Sequence, residues 1–272
     1  MYNYDLPDSV KVVEDGPIRT VLLNRPDQLN ATNDEMLVAL ERIWAQLAAD
    51  PGTRVVVLTG EGRGFSAGGD LEGQLALADM TRGEVDEWAW RQLEVARRTV
   101  LEMLAFPLPV IAAVNGPAVG VGMSLALGCD IILASDRAYF SDPHIAIGLV
   151  PGDGAGALMP LHTSLLRAKE FLFTGDRITA TQAVEIGIAN KVVAHERLRD
   201  EATDLAMRMA RLSKTALQGT KRTLNAYAIN AMGASLDVGV MSERATIGSP
   251  EHLDSVRSTL NRIRSQQTVP RP

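Results

Sequence analysis

Short apolar runs alternate with stretches of helical periodicity along the first 190 residues of the chain. The runs that predict β-strands cover residues 10–14, 18–23, 55–59, 110–114, 130–134 and 138–140. The first two flank Asp15-Gly16-Pro17, a turn-forming sequence that predicts a hairpin. The chain is therefore expected to begin with strands and to build a sheet from several short, buried segments.

Helical spacing of apolar residues appears between these strands and dominates after them. An amphipathic helix is predicted after Asn33, a second helix at 81–104 and a short buried helix at 121–128. Beyond these, the same spacing predicts helical segments at 165–173, 181–186, 197–212, 216–229 and 235–263. Alternating strands and helices followed by helices alone indicate an α/β core with a helical tail.

Composition and charge restrict the classes of protein to which the chain can belong. Its 272 residues are 46% hydrophobic, enough for a full core, and the formal net charge is −6 with no long basic run. We therefore expect no nucleic-acid partner, and the absence of a long apolar run predicts no membrane span. A single cysteine, Cys129, excludes an internal disulfide, and without a leader-like start we expect a cytoplasmic protein.

Two glycine-rich turns, at 62–71 and 115–122, each follow a predicted buried strand. Glycine lets the backbone adopt conformations in which successive N–H groups point into a cleft. Two converging N–H donors can stabilise an oxygen that gains negative charge during a reaction. The pair of turns therefore predicts an oxyanion hole.

The residues of these turns, FSAGGDL at 65–71 and NGPAVGVG at 115–122, resemble those of the crotonase superfamily, the enoyl-CoA hydratase and isomerase group. LNRP at 23–26, LNA at 29–31, LFTGDRI at 172–178 and AVEIG at 183–187 extend the resemblance over most of the chain. The resemblance implies a spiral of ββα units over 1–195, which would hold an acyl-CoA thioester. It also implies a C-terminal helical module over 196–272 that packs into homotrimers or homohexamers.

Carried over position by position, the resemblance assigns the oxyanion donors to the N–H groups of Gly69 and Val121. A helix N-terminus at Val121 would add a positive field to its N–H. The substrate and CoA would contact the remaining candidate residues, which are Arg25, Ala67, Gly68, Asp70, Leu71 and Gly120. Arg25 would bind the CoA phosphates, and a C-terminal cation, Arg257 or Arg264, would reach the ligand of a neighbouring subunit. Coenzyme A is then part of the substrate, and no separate cofactor is expected.

The chain departs from the hydratase pattern at the two positions where hydratases of the family carry glutamates. Ser124 occupies the first position and His144 the second. Serine is not a base near neutral pH, whereas the ordinary pKa of histidine is about 6.5, so the role of base is predicted for His144. Asp153, in the following loop, could orient His144, act as a base or cap a helix.

The chemistry that follows enolate formation stays open at this point between hydration, isomerisation, decarboxylation and hydrolysis. One alternative is a thioester or C–C bond hydrolase that uses Ser124, His144 and Asp153, because GMSLA at 122–126 is similar to a nucleophile elbow. A catalytically idle CoA-binding homologue is another. A dinucleotide site at 62–67 is disfavoured because no helix pattern follows directly. No His, Cys or Asp spacing predicts a metal site.

Overall fold

The computed structural model describes residues 2–268, and its centre is a six-stranded sheet. Strands β1 and β2 form the predicted antiparallel hairpin, and the later neighbours in the order β1-β2-β3-β4-β6-β9 pair in parallel. The bounds of these strands are Val10–Asp15, Ile18–Leu23, Val55–Gly60, Val110–Val114, Ile131–Ser135 and Lys191–Val193 for β1, β2, β3, β4, β6 and β9. The predicted α/β class is confirmed.

The second glycine turn contains a strand that the apolar pattern did not predict. β5 (Pro117–Val119) pairs in parallel with β7 (Tyr139–Ser141), which pairs in turn with β8 (Ile178–Thr179). This small sheet holds the second turn beside the segment that carries His144. It therefore brings together two parts of the chain that are more than 20 residues apart.

Alternating side chains of the central sheet contact different layers, as expected for buried strands. Val56 and Leu58 of β3 belong to the main core, which includes helix α1 (Asp34–Ala49). Val55 and Val57 face the other side, where helix α8 (Leu198–Ala210) packs on the sheet. One helix of the predicted 196–272 module thus lies on the core, and a domain boundary at residue 195 stays a prediction.

The remaining helices begin and end close to turn residues and caps. They are α2 (Leu71–Leu75), α3 (Arg82–Ala105), α4 (Val121–Leu127), α5 (Ala155–His162), α6 (Leu165–Thr174), α7 (Ala180–Glu185), α9 (Lys214–Met232), α10 (Ser235–Thr246) and α11 (Pro250–Thr268). Thr81 closes a capping box at the start of α3, as Ser/Thr and Glu three residues apart favour. None of the helices in residues 2–268 is both long and apolar enough to cross a membrane.

The single helical segment predicted over 235–263 is wrong in one respect. Apolar spacing continues through the segment, but the helix is interrupted and α11 starts anew at Pro250. Gly248 has a φ of +70°, a left-handed conformation that glycine adopts without strain and that ends helical geometry. The break lets α10 contact α3 and α5 while α11 contacts α2 and residues 144–147, which include His144.

Candidate active site

The two glycine turns predicted from the sequence pack directly against one another. Gly68 and Gly120 both have positive φ, at +93° and +51°. A Cβ atom on Gly68 would lie 2.9 Å from the carbonyl oxygen of Val119, and one on Gly120 would lie 3.9 Å from Cα of Gly68. The backbone N–H of Val119 also donates to the carbonyl of Ser66, at 2.9 Å. Glycine is therefore favoured by conformation at both positions, and at 68 it is also required by space.

The backbone N–H groups of Gly69 and Val121 lie just beyond these two glycines. Val121 is the first residue of α4, and its N-cap, Gly120, has no side chain to satisfy the free amides of the helix start. Within residues 2–268 neither of the two N–H groups has a hydrogen-bond acceptor. Both residues line the same cavity, so the two donors are available to a ligand there.

His144 begins the short 3-10 turn after β7 and lies against the second glycine turn. A Cβ on Gly120 would be 3.4 Å from Cε1 of the imidazole. On the other side of the ring, Nδ1 donates to Oδ1 of Asp142 at 2.5 Å, and the backbone N–H of His144 donates to the same oxygen at 3.3 Å. Asp142 therefore braces the ring, as its place in a turn suggested, and leaves Nε2 facing away from it.

Two buried carboxyl groups flank that second ring nitrogen. Oδ2 of Asp153 lies 3.6 Å from Nε2 of His144, and Oε1 of Glu243 lies 3.7 Å from it. Asp153 comes from the loop before α5, whereas Glu243 comes from α10, 90 residues later. We call the group of Asp142, His144, Asp153 and Glu243 the His144 cluster.

Burial and crowding perturb the ionisation of this cluster in a consistent direction. Burial by itself lowers the pKa of His144, but the charges of Asp142 and Asp153 outweigh it and hold that pKa well above the usual value. Burial raises the pKa of Glu243 to about 8, and the charges of Asp153 and Asp142 contribute to the rise. Burial also raises the pKa of Asp153. The imidazole is therefore protonated near neutral pH, and the cluster retains a proton on a carboxyl group.

Ser124 contacts Asp153 rather than the histidine. Its hydroxyl donates to Oδ1 of Asp153 at 3.0 Å, and both residues are buried. The start of α5 has no side-chain cap, and the nearby backbone N–H of Ala155 acts on Asp153 by lowering its pKa. The hydroxyl of Ser124 is consequently not activated by a hydrogen bond to an imidazole.

The cavity beside the cluster has a volume of about 790 Å³, which is within the usual range for small-molecule sites. Its apolar wall includes Leu37, Trp88, Leu93, Leu149 and Ile247. Its polar wall includes three members of the His144 cluster, which are His144, Asp153 and Glu243. The site therefore combines room for an apolar group with proton-carrying side chains and two free N–H donors.

The residues predicted to contact CoA fall into two groups. Ala67, Gly68, Asp70, Leu71 and Gly120 line the cavity together with the proposed donors. The guanidinium of Arg25 instead donates to Oδ2 of Asp70 at 3.0 Å and to the carbonyl of Ala31. Asp70 also caps α2. Arg264 donates to Glu72, and Arg257 to Asp254. A role of these cations toward CoA stays a prediction.

Two polar residues of the site were not singled out from the sequence, Glu243 and His252. Glu243 lies on the buried face of α10 in line with Leu236, Val240 and Ile247, so an acidic residue at an apolar position was the available signal. His252 is fully buried on α11, with Nδ1 on the carbonyl of Ile147 at 2.9 Å. Its Nε2 has no partner in residues 2–268.

Asp142, His144 and Asp153 each offer one atom of a type that can ligate a metal, and these atoms lie within 4.8 Å of one another. The hydrogen bond between Asp142 and Nδ1 of His144 already uses two of the possible ligand atoms. The expectation that no metal is needed stays a prediction.

Fold and site together define a class: an α/β protein whose paired glycine turns present two N–H donors to a cavity lined by proton-carrying groups. A family model for enoyl-CoA hydratase/isomerase matches residues 14–259. The chain therefore belongs to the enoyl-CoA hydratase/isomerase family, within the crotonase superfamily that its glycine turns resemble.

Individual relatives cover most of the chain. It is 38% identical over 208 residues to a probable enoyl-CoA hydratase of Mycobacterium tuberculosis, covering 76% of this chain and 73% of that protein. It is 34% identical over 256 residues to the 1,2-epoxyphenylacetyl-CoA isomerase of Escherichia coli, covering 94% and 96%. A solved enoyl-CoA hydratase/isomerase from Mycobacterium paratuberculosis superposes with a TM-score of 0.88 at 41% identity, covering 94% of this chain and 100% of that one. Hydratases and isomerases both occur among the relatives, so the reaction has to be argued from the site.

Proposed function

We propose that this protein isomerises an acyl-CoA by moving a proton between two carbons of its thioester enolate. The observation that carries the proposal is the position of His144, whose Nε2 lies between two buried carboxyl groups in the cavity wall. Such a group of side chains can remove a proton at one carbon and supply one at another. Isomerisation requires both transfers and consumes no water.

The N–H groups of Gly69 and Val121 would hold the thioester oxygen in this reaction. Negative charge develops on that oxygen when the carbon next to the carbonyl loses its proton, and preorganised N–H donors stabilise the charge. Removal of one such donor in other enzymes costs about 100- to 1000-fold in rate. The lack of any protein acceptor for either N–H in residues 2–268 supports this role.

In this proposal the base is the carboxylate of Asp153, whereas the sequence predicted His144. The neighbouring carboxylates keep the imidazole protonated, so its basic nitrogen is not free near neutral pH. Asp153 receives a hydrogen bond from the hydroxyl of Ser124, and the nearby amide of Ala155 also favours its anion by lowering its pKa. Its raised pKa still makes it a stronger base than an ordinary aspartate.

Hydration and hydrolysis both receive less support from the same contacts. The Ser124 hydroxyl is engaged by Asp153, so the hydrogen bond from serine to histidine that a serine hydrolase uses is lacking. Hydratases of the family position water between two glutamates, and the sequence resemblance assigns those positions to Ser124 and His144 here.

The test is to supply two substrates to the same preparation. With 3-hexenoyl-CoA, the conjugated thioester absorbance should rise as 2-hexenoyl-CoA forms. With crotonyl-CoA, loss of that absorbance by hydration should be at least about 100-fold slower, in line with the usual effect of missing acid and base groups. Rapid hydration without isomerisation would overturn the proposal, and release of free CoA thiol would support the hydrolase.

A matched pair of variants tests the base. Asp153→Asn should lower the isomerisation rate by about 100- to 10,000-fold, because the amide cannot accept the proton. Asp204→Asn, an exposed position on α8, should leave the rate unchanged. Equal rates in the two variants would rule out Asp153 as the base.

A further inference from the structure

We propose that Glu243 is the second proton-carrying catalytic residue, the acid that protonates the carbon far from the thioester while Asp153 removes the proton near it. The inference rests on the proposed isomerisation and deepens it. Asp153 and Glu243 lie at nearly equal distances from the same nitrogen of His144, 3.6 Å and 3.7 Å. Both line the cavity, so both can reach a ligand.

Close packing between a loop and α10 places Glu243 in the site. A Cβ on Gly152 would lie 2.3 Å from the carbonyl oxygen of Gly239, so these two glycines allow α10 to lie against the loop. The N–H of Gly152 then donates to Oε2 of Glu243 at 3.1 Å. The bond fixes one carboxyl oxygen and leaves Oε1 on the side of His144 and the cavity.

The balance of charges and donors indicates which carboxyl group keeps a proton. One imidazolium faces three carboxyl groups, and four ionised groups in a buried cluster would leave an excess of negative charge. Asp142 is hydrogen-bonded to Nδ1 of His144, and Asp153 accepts the hydroxyl of Ser124 while the nearby amide of Ala155 also lowers its pKa. Glu243 accepts only the N–H of Gly152 within residues 2–268, so its anion is the least stabilised. The pKa of about 8 that burial gives Glu243 agrees with this argument.

The reaction then balances without a co-reactant. The C–H bond at the carbon next to the thioester breaks and its proton goes to Asp153, while the electron pair spreads over the carbonyl and the neighbouring double bond. The O–H bond of Glu243 breaks and a C–H bond forms two carbons further along. The double bond has moved into conjugation, Asp153 holds a proton and Glu243 is ionised.

His144 lies between Asp153 and Glu243, where it can return both carboxyl groups to their starting protonation states. Its protonated Nε2 gives a proton to Glu243 and takes the proton from Asp153, and Asp142 holds the ring in place through Nδ1. Contacts of 3.6 to 3.7 Å need to shorten by less than an ångström for each transfer, as catalytic contacts commonly do when substrate binds. The histidine is thereby the link between two carboxyl groups rather than the base itself.

The test separates the two proton transfers. A saturated thioester, hexanoyl-CoA, is incubated in D2O, and deuterium incorporation beside the carbonyl is measured by mass spectrometry. Isomerisation of 3-hexenoyl-CoA is measured in parallel. Glu243→Gln keeps an oxygen that can accept from Gly152 but cannot supply a proton. We expect its isomerisation to fall about 100-fold or more while its deuterium incorporation stays within about threefold of the native rate.

Each result has one meaning. If Glu243→Gln keeps both activities, or loses both, Glu243 is not the second acid. If the native protein incorporates no deuterium, the enolate and with it the proposed function fail, whatever the variant does. Glu251→Gln, on the exposed side of α11, is the control and should keep both activities.

A pH profile of the native protein gives an answer that does not depend on the folding of a variant. Isomerisation should decline as pH rises above about 8, where Glu243 loses its proton, and deuterium incorporation should not decline there. The other titratable groups facing Glu243 are His144 and Asp142 beyond β7, Asp153 before α5, and His252 on α11. Identical profiles for the two activities would overturn the assignment.

Discussion

Two buried groups of charged side chains in this protein are built in opposite ways. In the first, which we call the Asp50 cluster, one carboxylate accepts hydrogen bonds from Arg19 at 2.5 Å, Tyr4 at 2.6 Å, Gly52 at 2.9 Å and Thr53 at 3.0 Å. The His144 cluster instead sets three carboxyl groups around one imidazole. The Asp50 cluster has an excess of donors, and the His144 cluster has an excess of acceptors.

The difference is expressed in the pKa values. Burial tends to raise the pKa of Asp50, but the donors around it, Arg19 first, hold the pKa well below the usual range. For Glu243 in the His144 cluster burial prevails, and its pKa rises to about 8. A group that is always ionised can stabilise a fold, whereas a group that titrates near neutral pH can exchange protons with a substrate. We therefore assign structure to the first cluster and chemistry to the second.

The largest effect on stability is expected when the Asp50 cluster loses its cation. Arg19→Met removes the charge and leaves Asp50 buried, and breaking a buried pair in this way costs about 3–5 kcal/mol. Urea unfolding followed by circular dichroism measures the loss. Arg208→Met on the exposed face of α8 is the control and should change the free energy of unfolding by less than about 0.5 kcal/mol.

Asp153→Asn is the counterpart in the His144 cluster, and it should lower activity without a comparable loss of stability. Removing one of several crowded carboxylates relieves the repulsion between them. Removing the only cation of the Asp50 cluster instead leaves a buried carboxylate without its counter-charge. If Asp153→Asn were as destabilising as Arg19→Met, the contrast between a structural and a chemical cluster would be lost.

The strands and most helices could be predicted from apolar spacing because burial alone decides them. The apolar run from Val55 to Leu58 predicts a strand, and these residues are buried on both faces of the sheet. The interruption near Gly248 was missed because a single backbone conformation ended a pattern that apolar spacing continued. Periodicity reports which face is buried, and it does not report where the chain changes direction.

The residues of the candidate site also differ in how far the sequence predicts them. His144 and Asp153 lie close to the second glycine turn in sequence, and the family resemblance drew attention to both. Glu243 lies 90 residues beyond Asp153, and its approach depends on the contact between Gly152 and Gly239. A long-range contact of this kind is not encoded in local spacing. An acidic residue in line with Val240 and Ile247 was the only sequence signal.

A substitution at the contact between Gly152 and Gly239 is expected to have an effect of intermediate size. Gly152→Ala places a Cβ 2.3 Å from the carbonyl oxygen of Gly239 and 2.8 Å from Oε2 of Glu243, so α10 must move. Overpacking of this kind costs about 1–3 kcal/mol, and isomerisation should fall about tenfold or more as Glu243 leaves the site. The two losses are measured by urea unfolding and by the 3-hexenoyl-CoA assay.

Gly219→Ala is the matched control. Nothing lies within 4 Å of a Cβ at this position on α9, and alanine in a helix should raise stability by about 0.5–1 kcal/mol. A Gly152→Ala variant with native activity would show that the position of Glu243 does not depend on the packed glycines.

The smallest expected effect is a difference in how the two clusters respond to pH. Asp50 has a lowered pKa in the folded protein, so its contribution to stability is present above its unfolded pKa and is lost as pH falls through the folded one. Glu243 has a raised pKa, so between about 4.5 and 8 the folded state binds more protons than the unfolded state and stability falls as pH rises. His144, also raised, contributes stability below pH 6.5 that is lost as pH rises through its folded pKa.

Glu243→Gln should therefore flatten the decline of stability toward alkaline pH and leave the acid side unchanged. At pH 8 the variant should be more stable than the native protein, because the cost of ionising a buried carboxyl group has been removed. At pH 5 the two should agree, since Glu243 is then protonated in the folded protein. Urea unfolding at both pH values measures the difference. An equal change at both would mean that Glu243 acts through packing, and its place in the chemical cluster would have to be given up.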